Sequence, residues 1–208
     1  MATRKNDTAI DIKPITITKP TIYEVTIQGL DAILFNRMLS NTEKTSGSDA
    51  KEDPSDREWR TWRLKTYSDD DGMLYIPGEN IQECMKEGSK YWGQKIPGEG
   101  NKTYTDLIAS ATIVEKMALG LSYDSDELLP YDKMVNGNPS KGKKSGAKVL
   151  RVRPLLRPWG GTFLLHVFDG RLSPEILKII ITYAGTFRGL GDWRPNFGRF
   201  EMVKIAKL

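Results

Sequence analysis

A glycine-rich run, Gly185-Thr-Phe-Arg-Gly-Leu-Gly-Asp-Trp-Arg-Pro-Asn-Phe-Gly198, lies between a helix signal and a closing strand, and this placement restricts the fold more than any other feature. Upstream, Ser173 suits a helix cap, Pro174 the first helical position and Glu175 the positive helix end. Ile176, Ile180, Tyr183, Ala184 and Phe187 then predict a broad apolar helix face. Downstream, residues 199–206 read as a strand. A dinucleotide fingerprint needs its glycines after a strand and at the start of a helix, so that class is excluded.

The rest of the chain supplies the partners of this unit. Residues 1–21 mix Thr, Ile, Lys and Pro and are expected to form an N-terminal arm. Tyr23, Val25 and Ile27 alternate with Glu24, Thr26 and Gln28, the period of a half-buried strand, which the apolar residues 32–35 continue. Residues 40–54 lack periodicity and read as a flexible loop, with Trp59, Trp62 and Leu64 on a short helix or strand beyond it. A strand over 73–76 ends at Pro77-Gly78, and Ile81, Cys84, Met85, Gly88 and Trp92 share one face of the following helix. A short helix near Leu107, a strand over 112–121 and a polar tract over 123–148 come next. Residues 149–156 read as a strand, and residues 162–168 as a second one, apolar on both faces, which predicts a central place in a covered sheet. The order βαββαβ predicts an α+β, ferredoxin-like (RRM-like) domain over residues 22–208, with long insertions near 40–72 and 123–148.

Composition narrows the chemistry. Of 208 residues, 38% are hydrophobic, enough for a real core. One cysteine and one histidine exclude an internal disulfide and a four-ligand Cys/His zinc site. No apolar run nears the roughly 20 residues of a membrane span, and the N-terminus lacks a secretory signal. The expectation is a cytoplasmic protein with no membrane contact, metal or cofactor. Cys84 is expected to be a small core hydrophobe and His166 a structural histidine, and Asp69, Asp70 and Asp71 read as a solvated loop. No residue set makes an acid–base pair, so no catalytic residue is assigned.

The net charge of +4 is mild, but its distribution is uneven. Lys141, Lys143, Lys144, Lys148, Arg151, Arg153 and Arg157 crowd one stretch, while acids dominate residues 49–71. The lysines either track a phosphate backbone or keep a loop soluble. Arg151 and Arg153 share a strand face with Arg157 just beyond, and a core would not hold them unpaired, which favours a ligand. In the glycine run, Arg188, Arg194 and Arg199 interleave with Trp193 and Phe197, a mixture that suits phosphates and unstacked bases. The same run also reads as a turn whose rings close the core beneath the last strand.

The run ends in Gly198-Arg199-Phe200 and enters the final strand, and Leu74-Tyr-Ile-Pro-Gly-Glu-Asn-Ile81 leads into the first helix. Together these motifs resemble the repeat-associated mysterious protein superfamily, from which CRISPR effector complexes draw backbone and RNA-processing subunits. That family usually carries a Gly-Arg-Ser or Gly-Gly-Lys run; Asp192-Trp193-Arg194-Pro195 stands here, as expected of a divergent member from a phage or other mobile element. The resemblance implies binding to single-stranded RNA or DNA, as a homo-oligomer polymerised along its ligand or as a subunit of a larger nucleoprotein complex. It also implies an insertion between central strands that acts as a finger over the ligand. Some members cut RNA with a histidine, or with an aspartate in the loop after the first strand, where Asp31 stands. The expected function is non-catalytic single-strand binding; an endoribonuclease and a protein-only or virion-associated component are the alternatives.

Overall fold

The computed structural model describes residues 19–47, 51–137 and 148–208, so most of the expected N-terminal arm lies outside the described residues. Strand β1 (Thr21–Gly29) bends into β2 (Ile33–Leu34), and helices α1 (Asn41–Thr45) and α2 (Pro54–Thr61) and a 3₁₀ turn (Arg63–Lys65) precede β3 (Met73–Ile76). Helices α3 (Gly78–Trp92) and α4 (Tyr104–Ala111) lead to β4 (Thr112–Val114), β5 (Met117–Ser122), β6 (Leu128–Asn136), β7 (Lys148–Leu156) and β8 (Gly160–Val167). Helix α5 (Pro174–Tyr183) runs into a π-helical turn (Ala184–Arg188), and β9 (Phe200–Lys207) closes the chain.

The main sheet is antiparallel with the order β4-β8-β1-β9. Among these four strands the order is second, third, first, fourth, with α3 joining the first to the second and α5 the third to the fourth. This is the ferredoxin-like α+β arrangement. Ile81, Cys84 and Met85 of α3 and Leu177, Ile180 and Ile181 of α5 share one core with Val25, Phe163 and Leu165 of the sheet.

Several expectations change. Residues 41–45 form α1 inside the expected loop, because Ser40 and Glu43 make a reciprocal capping box. The stretch 112–121 is two strands in different sheets, β4 on β8 and β5 on β3. Strand β8 is central, but its outer face keeps Leu164 and His166 only half-buried and Thr162 exposed. The buried face of α5 is rotated, so Leu177 and Ile181 are inside while Phe187 is 47% exposed. The polar tract contains β6, which pairs with β7 along its whole length.

The β1–β8 ladder continues as β2–β7, to form a second sheet of order β2-β7-β6. Trp159 is buried at the bend, and its indole N–H donates to the Asp31 carbonyl at 2.7 Å. Beyond Phe35 no strand among the described residues meets the open edge of β7, and α2 packs there instead. The Glu58 carboxylate accepts from Lys65 Nζ (2.5 Å), the Val152 amide (2.9 Å) and Arg151 Nη1 (3.0 Å). Lys65 Nζ in turn donates to the Val152 carbonyl at 2.9 Å. Burial pushes the Glu58 carboxyl up, but the Lys65 and Val152 hydrogen bonds together outweigh it and hold the group below the ordinary range. Burial pushes the Lys65 ammonium down.

Glu58→Ala would leave Lys65, whose side chain is 6% exposed, as an uncompensated charge. The expected loss is about 3–5 kcal/mol in urea unfolding. Because the folded-state value of Glu58 is depressed, its stabilisation is complete above the unfolded value of 4.5 and lost as pH falls through the folded one. As pH falls from 4.5, stability should therefore drop more steeply in the wild type than in Glu58→Gln. An unchanged unfolding midpoint for Glu58→Ala would remove this anchor from the account.

Candidate functional site

The glycine-rich loop is stitched onto the bend between β1 and β2. The Asp192 amide donates to the Leu34 carbonyl (2.7 Å), the Gly198 amide to Ala32 (2.8 Å) and the Leu30 amide to Arg199 (2.8 Å). The Arg199 amide donates to Asp31 Oδ1 at 2.9 Å, so the Asp31 carboxylate holds this seam, and among the described residues it pairs with no titratable side chain. Gly191 has φ +83°, and a Cβ there would collide with the Leu34 carbonyl oxygen. At Gly198, φ is +78° and a Cβ would collide with the Leu190 carbonyl. These glycines admit the protein's own backbone, as the closure reading of the loop requires.

What the closure leaves outside is chemically distinct. Trp193 has φ +50°, a conformation that a bulky residue holds only when its surroundings fix it. Arg153 Nε donates to Asp192 Oδ2 at 2.8 Å, one residue away. The Trp193 ring lies edge-on to Tyr131 of β6, with centroids 5.6 Å apart, and Phe197 lies 5.3 Å from the same Tyr131. Lys133 Nζ sits 5.3 Å from the Trp193 centroid and Arg153 5.8 Å from it, within cation–π range. Trp193 is thus half-buried in a three-ring cluster, between a free platform and a core closure.

The predicted cations separate into two groups. Arg153 is buried and committed to Asp192, with Glu58 at 3.8 Å, and Arg151 pairs with Glu58. Their shared face therefore meets carboxylates of the protein itself, where the sequence suggested a ligand. Lys148, Arg157, Arg188, Arg194 and Arg199 form no ion pair among the described residues, and Arg188 Nε is buried without a hydrogen-bond partner. Lys141, Lys143 and Lys144 lie outside the described residues. Tyr131 and Lys133, which sequence reasoning missed, stand two apart on one face of β6, a mostly exposed strand whose burial gives no period to read.

Beside the loop lies a cleft of about 220 Å³ between β2, the β3–α3 junction and residues 191–194. Ile76, Pro77 and Asn80 form one wall and Gly191, Asp192 and Arg194 another. The Leu74–Ile81 motif and the glycine run, more than a hundred residues apart in sequence, thus border the same space. Ile33, Phe35, Asn36, Tyr67 and Glu83 complete the lining. Cys84 is buried beneath the loop, its thiol donating to the Gly189 carbonyl, and burial pushes its pKa up to about 12, which rules out a thiolate nucleophile. His166 pairs with Glu115 at 2.7 Å on the outer sheet face. Asp69 accepts from the Met73 amide, and among the described residues no group of three His, Cys, Asp or Glu side chains could hold a metal.

No family model and no curated protein matches the chain. Among solved structures, it is similar to a chain of the type III-B Cmr-β complex bound to cognate target RNA, with 17% identity and a TM-score of 0.49 over 91% of this chain. The match spans 61% of that longer chain. It is also similar to Cmr6 from Pyrococcus furiosus, with 12% identity and a TM-score of 0.46 over 88% of this chain and 98% of that one.

Gly191→Ala tests the seam directly. The substitution adds positive-φ strain to a collision with backbone, and the expected loss of folding stability is about 1–3 kcal/mol or more. Gly47→Ala, at φ +69° with open space around it, isolates the strain alone and should cost less. Equal losses at the two sites would mean that the loop does not need its close approach.

Proposed function

We propose that the protein binds single-stranded RNA or DNA without cleaving it, as a homo-oligomer along its ligand or a subunit of a larger nucleoprotein complex. The observation that carries this reading is one patch. In the half-exposed Trp193–Tyr131–Phe197 cluster, Lys133, which forms no ion pair among the described residues, lies against the Trp193 ring, and Arg194, next in sequence, lines the cleft. Unpaired cations neutralise phosphates and ring faces accept unstacked bases whatever their sequence. The convergence of both superfamily-like motifs on one cleft supports the same reading. Non-cleavage is supported by the engagement of Asp31 in the seam and by the placing of His166 on the outer sheet face, on another element from the patch.

Fluorescence anisotropy against salt tests it. Single strands should bind more tightly than duplex at equal salt, and log affinity should fall by roughly 0.7 per phosphate contact for each decade of salt. Lys133→Ala with Arg194→Ala should flatten that slope by one to two contacts, while unfolding midpoints stay near wild type because neither residue forms an ion pair among the described residues. Trp193→Ala should weaken binding by about 1–3 kcal/mol, the usual worth of a stacked base. An absence of salt-sensitive binding to any oligonucleotide would end the proposal and favour a protein-only component, and cleavage lost in His166→Ala would favour the endoribonuclease.

A further inference from the structure

We infer that the cleft receives one base turned out of the bound strand and prefers a base whose edge sets an amino group beside a ring-nitrogen acceptor, adenine or cytosine, over uracil or thymine. The inference rests on the single-strand binding reading. At about 220 Å³ the cleft is smaller than the roughly 300–1,000 Å³ of sites for drug-sized ligands, so a flat fragment fits and a folded segment does not. Ile33, Phe35 and Ile76 line it where the faces of a ring would rest.

Its polar groups are uncommitted. Among the described residues, the carboxamides of Asn36 and Asn80 and the hydroxyl of Tyr67 hydrogen-bond to nothing in the protein, and Arg194 forms no ion pair. Asn36 is exposed and Asn80, Tyr67 and Arg194 are half-buried, so all four groups are open to a ligand that enters the cavity they border. A carboxamide presents a donor and an acceptor side by side, which matches adenine; a carboxylate accepts from the amino group of cytosine. Glu83 and Asp192 supply carboxylates at the rim, where among the described residues Lys86 pairs with the first and Arg153 with the second. Uracil and thymine would set carbonyl oxygens against those carboxylates. Splayed bases are read in this manner, by their edges, with cations such as Arg194 holding the adjoining phosphate.

The test compares a short oligouridine with the same strand carrying one central adenine or one central cytosine. The wild type should bind the substituted strands about tenfold more tightly. Asn80→Leu should reduce that preference about threefold or more, and so should Glu83→Gln, an exposed position at which misfolding is not expected. Adenosine monophosphate should abolish the preference by filling the cleft. Equal affinity of the wild type for all three strands, with salt-sensitive binding intact, overturns the base site and leaves single-strand binding standing. A preference that survives both substitutions and the mononucleotide also overturns it, and no binding to any of the three strands ends both readings.

Discussion

The backbone seam between residues 30–35 and the glycine-rich loop is the constraint on which the rest of the site depends. Residues 30–35 are wedged: Phe35 donates to the Pro154 carbonyl of β7, while Leu34 and Ala32 accept from the loop. A segment held from two sides can shift only if both neighbours shift. Side chains would prevent this approach, which is why Gly191 and Gly198 stand where Leu34 and Leu190 offer carbonyls. The seam also explains Trp193. With Asp192 pinned at its amide and its carboxylate, the next residue takes positive φ and its ring is delivered to Tyr131.

A second constraint is electrostatic and reaches the same loop from the opposite side. Lys65, Glu58, Arg153 and Asp192 form a chain of alternating charge from the 3₁₀ turn after α2, across β7, to the loop. Burying such groups costs several kcal/mol per ion before pairing, so the chain is not a strong source of stability. Its value lies in position. Hydrophobic packing would hold α2 against β7 at many registers, whereas Glu58 accepts at once from Lys65 and from the Val152 amide, which only one register allows. The ribbon of β6 and β7, and with it Tyr131 and Lys133, is set relative to Trp193 by this chain as much as by the seam.

Much of the frame was legible in the sequence because it follows from local rules. The alternation in β1, the Ser173-Pro174 cap and the spacing from Ile81 to Met85 each report a buried face, and these elements form as expected. Strand β6 was hidden because it is an edge strand with mostly exposed residues, so no burial pattern is imprinted on Leu129 to Lys133. Helix α1 carried a readable signal in Ser40 and Glu43 but has no buried residue to give it a period. The pairing of Arg151 and Arg153 with Glu58 spans more than ninety residues, and no local pattern records it. The glycine run was recognised as special, yet its closeness to Leu34 is a tertiary fact, as is the meeting of both motifs at one cleft.

A ferredoxin-like sheet has an open face that could serve as a binding platform, and the two surfaces of this protein differ in how their polar groups are used. On the main sheet, Glu24 pairs with Lys204, His166 with Glu115, and Thr26 hydrogen-bonds to Thr162. A phosphate approaching that face would meet lysine charge already offset by neighbouring carboxylate, and bases would meet no cluster of rings among the described residues. On the loop side, Lys133 and Arg194 form no ion pair among the described residues, and Lys133 lies beside low-dielectric ring surface, which strengthens its field towards an incoming anion. The distinction is one of arrangement, since a net charge of +4 spread evenly would favour neither surface. Acids are held against bases on the sheet and along the Lys65–Asp192 chain, whereas Lys133 and Arg194, two of the described cations without an ion pair, stand by the rings and the cleft that the seam has placed.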